Sequence, residues 1–289
     1  MRVVPDGMVV VPEVRYARSR DGSRIAYDVM GDGPLDVVVA ATHFLAIDLL
    51  WDEPRVVQFL QRLSSFARHI WFDYRGTGGS DGIAADEERL LESWVEDMVT
   101  VADAAGCERV AVLQLGGPGI GPLFAATYPE RTAAMVLVNT SARMRWAEDY
   151  PGGLPDQEID RLFALDAEAL ITLEGVAPSL IDDAGFRRWY ERAVRLGAPP
   201  EVRRRRFVAA FGTDARAVLG SVQTPTLVVS RGSRSNLVVV PGTGRRSRRD
   251  GPRRPETVQG PGSRTRPSFD VTGLGRICRR WWVRATVAG

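Results

Sequence analysis

One stretch of the chain combines a strand pattern, a glycine-rich turn and a helix pattern, and it constrains the fold more than any other. Residues 109–115 form an apolar run suited to a buried strand, and a Gly-Gly-Pro-Gly segment precedes the helix pattern of residues 118–128. Such a strained strand-to-helix turn typically presents a catalytic serine within Gly-x-Ser-x-Gly. Residues 113–117 read Leu-Gln-Leu-Gly-Gly, so Leu115 stands where that serine is expected.

Strand and helix patterns alternate on both sides of this turn. Short apolar runs predict strands at 14–19, 24–30, 35–41, 69–73, 109–115, 132–139 and 224–230. Apolar residues at helical spacing predict helices at 55–66, 87–105 and 118–128, and Gly106 suits the end of the second one. This alternation predicts an α/β fold, with a mostly parallel central sheet and flanking helices.

The rhythm changes after the sixth predicted strand. Helical patterns occupy 157–165, 168–173, 184–196 and 201–211, with no convincing strand among them. We expect a helical cap that is inserted between two sheet strands. The predicted organisation is a core at 12–145, a cap at 146–215, a core strand within 216–230 and an atypical tail at 231–289.

The tail differs sharply from the rest of the chain in composition. Residues 1–230 hold 24 arginines against 33 acidic residues, whereas residues 231–289 hold 14 arginines against three. All 38 basic residues are arginine, which indicates a GC-rich genome rather than a binding signal. Glycine, proline, arginine and serine dominate the tail, and they predict that residues 231–268 are irregular or disordered.

Several segments together resemble the α/β-hydrolase superfamily. The most specific of them is FDYRGTGGSD at 72–81, which is similar to the family's Asp-x-Arg-Gly-x-Gly-x-Ser loop. The opening hairpin, the region 51–67, the helix segment FAATYPER at 124–131 and the strand start TPTL at 224–227 also match. The closest likeness is to the hydrolase-like domains of actinobacteria, free-standing or linked to adenylate cyclases. It covers residues 12–230.

The resemblance implies a serine, an acid and a histidine in chain order, since the three act as one catalytic unit. Counted back without a gap from Phe124, the serine position is Leu115, which has no nucleophilic atom. The acid position follows the strand that ends at Ser230 and carries Arg234. No histidine follows the turn, because His43 and His69 both precede it. The sequence therefore predicts a degenerate member without the triad.

A pocket can persist in such a protein, and five residues are its candidates. The resemblance places the segment after the third strand at one half of an oxyanion hole, which makes His43 and Phe44 pocket candidates; the other interpretation of His43 is a loop histidine that supports the site without facing it. Gln114, Leu115 and Gly116 are the other candidates.

Other polar residues near strand ends have structural interpretations. We interpret His69 as a core histidine and Asp73 as the group that holds the loop 75–80 by hydrogen bonds. Ser80 and Ser141 lie near strand ends, but no base accompanies either of them.

Two hypotheses address the tail. In the first, the reading frame shifts near residues 230–237, because GC-rich DNA read out of frame yields arginine, glycine and proline. The codons of residues 264–267 permit His-Ala-Pro one base earlier, and an intact frame in the gene would contradict the hypothesis. In the second, the tail is a basic arm for nucleic acid, although no recognised module or interleaved aromatic residues support it.

The remaining sequence features set expectations about location and ligands. Cys107 and Cys278 are too few for a disulfide framework. No signal peptide and no run of ~18 apolar residues is present, so the expected location is the cytoplasm and no membrane span is expected. No metal site, P-loop or dinucleotide fingerprint is found, and no cofactor is expected.

Three functions remain open on the sequence. The first is a catalytically silent protein of esterase-like ancestry that binds a small apolar or ester-like ligand. The second is an enzyme that uses the capped pocket for lyase, cyclase or other chemistry without a serine nucleophile. The third is a regulatory or binding module that acts on a separate partner.

Overall fold

A computed structural model describes residues 11–41, 45–84, 89–164, 173–230 and 256–259. Within these residues the chain forms one eight-stranded sheet with the strand order β1-β2-β4-β3-β5-β6-β7-β8. The strands are β1 Arg15–Arg18, β2 Arg24–Met30, β3 Asp36–Ala41, β4 Arg68–Phe72, β5 Val110–Leu115, β6 Thr132–Val138, β7 Thr226–Ser230 and β8 Glu256–Gln259. Strand β2 is antiparallel to both of its neighbours, and the other pairs are parallel.

Helices cover both faces of the sheet. They are α1 Pro54–Ser64, α2 Leu90–Ala104, α3 Ile120–Thr127, α4 Asp156–Phe163, α5 Leu173–Val176, α6 Ala184–Gly197, α7 Pro200–Gly212 and α8 Arg216–Leu219. A 3-10 helix, Ile47–Asp52, precedes α1. The mostly parallel sheet with flanking helices confirms the fold class that the sequence predicts.

Residue alternation along the strands divides the core in two. Val37 and Val39 of β3 point to one face, where they pack with α1 and α6, and we call this the α1 face. Val38 and Ala40 point to the other face, where they pack with α2 and α3, and we call this the α2 face. Both faces of the central strands are buried, which explains their nearly continuous apolar runs.

Two helix ends follow directly from local sequence. The side chain of Glu53 accepts a hydrogen bond from the Arg55 N–H, and Pro54 occupies the first turn of α1. Gly106, with φ +72°, ends α2, and its N–H donates to the Asp103 carbonyl while the Cys107 N–H donates to Ala102. This is a Schellman motif, as the glycine predicts.

The chain between β6 and β7 contains turns and isolated bridges up to Pro155, and after them the helices α4 to α8. Helix α6 buries Phe186, Trp189, Tyr190, Ala193 and Val194 against the cluster on the α1 face. These five residues lie at helical spacing on one side of α6, so the amphipathic pattern in the sequence translates into packing. None of the described helices is long and apolar enough to cross a membrane.

Two features differ from the sequence-based expectations. Helix α3 begins at Ile120 and not at residue 118, because the glycine-rich segment forms a longer turn. Strand β8 lies inside the stretch that composition predicts as irregular, and it pairs in parallel with β7, with Glu256 opposite Leu227. Composition predicts disorder here because it does not reveal which strand edges are open. The edge of β7 is open, and Glu256–Gln259 pair with it. The rest of the tail lies outside the described residues.

Candidate functional site

Leu115 is the last residue of β5 and lies at the carboxyl edge of the parallel strands. Ligands tend to bind beyond this edge in open α/β sheets. The side chain of Leu115 is partly buried and packs against the cluster on the α1 face, to which Leu173 of α5 and Trp189 of α6 also belong. The position that the sequence compares with a catalytic serine therefore lies against an apolar cluster to which the sheet and the helices between β6 and β7 both contribute.

The turn after Leu115 is longer than a sharp nucleophile turn. Four residues separate the end of β5 from Ile120, the first residue of α3. Positive φ angles fall on Gly116 (+75°) and Gly117 (+70°), whereas Leu115 has none. Glycine adopts this conformation without the steric penalty of a side chain, so the backbone strain of the turn is low.

Gln114 lies beneath this turn and is fully buried. Its Nε2 donates to the carbonyl oxygens of Gly116 and Pro118, both at 2.9 Å, and its Oε1 accepts from the Gly121 N–H at 2.8 Å. Alternation along β5 places Gln114 on the α2 face, opposite to Leu115. The sequence names Gln114 as a pocket candidate, but in the structure its amide holds the turn together.

The backbone of the turn is bound to the chain that follows β6. The Gly116 N–H, which follows the serine position and is an oxyanion-hole candidate, donates to the Val138 carbonyl at 2.8 Å. Further along, the Gly119 N–H donates to the Ser141 carbonyl and the Ser141 N–H donates to Gly117. The Gly116 amide is therefore engaged in the sheet and is not directed at a ligand.

Three candidates from the sequence lie outside the described residues. They are His43 and Phe44, which follow β3 in the sequence, and Arg234, at the acid position.

The serines near strand ends have bonded hydroxyls. Ser80 Oγ donates to the Asp73 carbonyl at 2.6 Å and accepts from the Ala26 N–H. Ser141 Oγ donates to Met144 Sδ at 3.0 Å. Neither serine contacts a histidine, so neither is activated as a nucleophile.

His69 is a core residue, as its position in a strand predicts. Its Nδ1 accepts from Trp71 Nε1 at 3.0 Å, so its proton resides on Nε2, which lies 2.8 Å from Ser64 Oγ. Burial lowers the pKa of His69 to about 4, and the ring is neutral at pH 7. Both ring nitrogens have partners, which leaves neither available for catalysis.

Asp73 holds two segments together at the end of β4. Its Oδ1 accepts from the Ile47 N–H at 2.9 Å, and its Oδ2 accepts from the Gly79 N–H at 2.8 Å. The carboxylate thus ties the 3-10 helix to the loop 75–80, which confirms the structural role that the sequence predicts. Burial raises the pKa of Asp73 to about 7, against the lowering effect of these two bonds.

Arg206 of α7 also binds this loop, and the sequence did not single it out. Arg206 is buried, donates to Thr77 Oγ1 at 2.5 Å, and lies 5.0 Å and 5.1 Å from the ring centroids of Tyr74 and Trp94. Burial lowers the pKa of the Arg206 guanidinium to about 10. Four consecutive arginines, 203–206, usually indicate a solvated face, and only the helical phase of 203 and 206 hints at burial.

The structure contains few groups that could bind a cofactor or metal. In the ranges that the structure describes, no three histidine, cysteine, aspartate or glutamate side chains form a group that could hold a metal ion. A surface cavity of about 280 Å³ lies between β1 and α2, lined by residues that include Arg18, Glu96 and Tyr128. It is remote from Leu115 in the fold, because it lies on the α2 face beside β1.

Comparison with known proteins places this geometry in context. No family model matches the chain. The strigolactone esterase of Arabidopsis thaliana is 28% identical over 143 residues, which are 48% of this chain and 53% of the relative. The match thus spans about half the length of that relative.

Solved structures match over nearly the whole chain. The enol-lactonase from Burkholderia xenovorans has a TM-score of 0.66 at 18% identity and covers 94% of this chain and 100% of its own. A hydrolase from Pseudomonas aeruginosa has a TM-score of 0.62 at 19% identity, with 96% and 97% covered. A carboxylesterase structure from Nitrososphaera gargenis has a TM-score of 0.67 at 14% identity, with 95% and 100% covered. The TM-scores establish a shared fold, and at such low identities they establish the fold alone.

Proposed function

We propose that the chain is a member of the α/β-hydrolase superfamily that lacks serine-dependent catalysis and binds a small apolar ester or lactone. The observation that carries the proposal is Leu115 at the end of β5, packed in an apolar cluster. Leucine offers no atom that attacks a carbonyl, and the members of a catalytic triad act as a unit. The hydrolase ancestry accounts for the fold, and the missing nucleophile accounts for the loss of its usual chemistry.

The neighbouring polar groups support the absence of acyl transfer. Gln114 and the Gly116 N–H are engaged by backbone groups, and Ser80 and Ser141 have bonded hydroxyls. The one described histidine, His69, is buried with partners on both ring nitrogens. No described group near Leu115 is thus positioned to act as nucleophile, base or oxyanion donor.

The apolar surroundings of Leu115 support a ligand of low polarity. Like Leu115, three other residues are partly buried and pack against the cluster on the α1 face: Leu49, Leu180 and Val229. Cap residues such as Trp189 cover the same cluster, so the proposed pocket lies between the carboxyl edge of the sheet and the cap. The cap as a separate unit, at 146–215, is part of this proposal.

The names of the relatives suggest the chemical class of the ligand. One is an esterase for strigolactones, and another is an enol-lactonase. Both names refer to carboxylic esters, linear or cyclic. We extend that class to this chain as a ligand that is bound and released unchanged.

One experiment tests both halves of the proposal with p-nitrophenyl butyrate. We expect the ester to raise the melting temperature of the protein, while release of p-nitrophenol stays at the uncatalysed rate. Leu115→Ser is expected to leave that rate unchanged, because a serine without a base is a weak nucleophile. Leu115→Gln is expected to weaken binding of the ester about tenfold or more, because it places an amide in the apolar site.

The control variant is Trp146→Ala, since Trp146 is 50% exposed and lies outside the cluster on the α1 face. It is expected to bind the ester as the wild type does. Catalysed release of p-nitrophenol that Leu115→Ala abolishes would contradict the silent site. An unchanged melting temperature with p-nitrophenyl butyrate, and equally with a butenolide, would contradict the binding function.

A further inference from the structure

Asp28 is a buried carboxyl group that bonds no basic side chain among the described residues. It lies on β2 and is 3% exposed; its Oδ1 has no hydrogen-bond partner there, and the carboxyl accepts a single backbone bond, from the Trp71 N–H. Burial of an ionised carboxylate is strongly unfavourable unless a cation or several donors compensate it. The neutral, protonated form is therefore the one that fits this position.

The strand register defines what faces Asp28. Asp28 is paired with Trp71 of β4, so His69 and Asp73 are its diagonal neighbours on the α1 face. The Trp71 indole N–H, opposite Asp28, donates to His69, and the other ring nitrogen of His69 is bonded to Ser64. The charged side chain that acts most strongly on Asp28 is thus a second carboxylate, Asp73.

The basic groups of the surrounding elements have other partners or lie at the surface. Arg68 of β4 bonds Asp36, Arg75 bonds Asp97, and Arg206 of α7 bonds Thr77. The other charged residues on these elements are exposed or bonded elsewhere: Arg15 and Arg18 on β1, Arg24 on β2, Asp48 and Asp52 on the 3-10 helix, and Arg55 and Arg62 on α1.

We propose that Asp28 and Asp73, the buried carboxyl pair, form a proton-dependent clasp for the 3-10 helix Ile47–Asp52. While Asp28 is protonated, the Asp73 carboxylate holds the N–H groups of Ile47 and Gly79. When Asp28 gives its proton to solvent, two negative charges lie as diagonal neighbours in the core. Hydration of this pair requires the 3-10 helix to separate from the loop 75–80.

The direction of the pH dependence follows from proton linkage. Burial raises the pKa of Asp28 to about 8, and the charges of Asp73 and Asp48 add to the shift. The closed state thus binds a proton that the open, hydrated state releases at lower pH. Closure is favoured at low pH and weakens as pH rises through this range.

Amide hydrogen exchange of the full chain measures the clasp. Between pH 6 and 8 we expect protection of the Ile47 and Gly79 amides, corrected for intrinsic exchange, to fall by about tenfold per pH unit. In Asp28→Asn the carboxyl is replaced by an isosteric neutral group, so the fall is expected to shrink to the part that comes from Asp73, whose own pKa is about 7. Asp32→Asn, at an exposed aspartate, is the matched control and keeps the wild-type dependence.

A carboxyl NMR titration of the wild type gives an independent measurement. A midpoint for Asp28 well above the ordinary range of an aspartate, with loss of amide protection at the same pH, supports the clasp. A midpoint near 4, or equal pH dependence of protection in the wild type and Asp28→Asn, overturns it. The measurement needs no ligand, so its outcome is independent of the proposed function.

Discussion

Replacing Asp97 with alanine is expected to lower the free energy of unfolding by about 3 kcal/mol, because the buried Arg75 guanidinium then keeps only the half-exposed Asp21 as a counter-ion. Arg75 donates to both oxygens of Asp97, at 2.8 Å and 2.6 Å, and the two side chains are 4% and 0% exposed. The bonds to Asp97 raise the pKa of Arg75 further above its ordinary range, so it keeps its charge. Urea unfolding at pH 7 measures the loss.

The matched controls separate burial from pairing. The double variant Arg75→Met with Asp97→Leu is expected to lose far less than the sum of the two single changes, because an apolar pair carries no uncompensated charge. Asp103→Asn, in an exposed ion pair with Arg131, is expected to be nearly neutral. Additive single and double effects would show that the pair is not coupled.

Replacing Gln114 with methionine is expected to lower the free energy of unfolding by about 3 kcal/mol or more. The variant keeps the side-chain volume but leaves the Gly116 carbonyl and the Gly121 N–H without this partner, while the Pro118 carbonyl still accepts from the Ile120 N–H. Each buried polar group that loses its bond costs about 1 to 3 kcal/mol. Hydrogen exchange of residues 116–121 is expected to increase together with the drop in stability.

The control is Leu113→Met, at the preceding residue of β5, whose side chain lies on the opposite face of the sheet. Leu113 is equally buried but makes no side-chain hydrogen bond, and a leucine-to-methionine change costs less than about 1.5 kcal/mol. Gln114→Glu tests the donor role, because a carboxylate accepts from Gly121 but cannot donate to the carbonyls. A stable Gln114→Glu protein would show that these donated bonds contribute little.

The periodic signals of the sequence were sufficient for most elements of the fold. The predicted strand 24–30 and helix 184–196 agree with β2 and α6 within one residue. Such elements are encoded locally, since strand alternation and helical spacing appear in a short window of sequence. Strand β8 was missed because four polar-rich residues carry no such period, and their pairing depends on β7.

The side chains of the candidate site were harder to predict. Gln114 and Leu115 were both named as pocket candidates, yet alternation sends them to opposite faces of β5. The hydrogen bonds of Gln114 join residues up to seven positions apart around a turn whose length the sequence did not reveal. Arg206 reaches Thr77 across 129 positions, a contact that no local pattern encodes.

The sequence by itself determined the fold class and the absence of a nucleophile at the end of β5, because both depend on residue identity and local period. Only the tertiary structure decided which polar groups are free for a ligand. Gln114 and the Ser141 hydroxyl bond groups of their own turns, whereas Ser80 and the Gly116 N–H have partners distant in sequence, Ala26 and Val138. The isolation of Asp28 from cations also depends on how β2, β4 and the 3-10 helix pack together. Burial and hydrogen bonding are properties of the assembled chain, and they set the charge and the role of each of these groups.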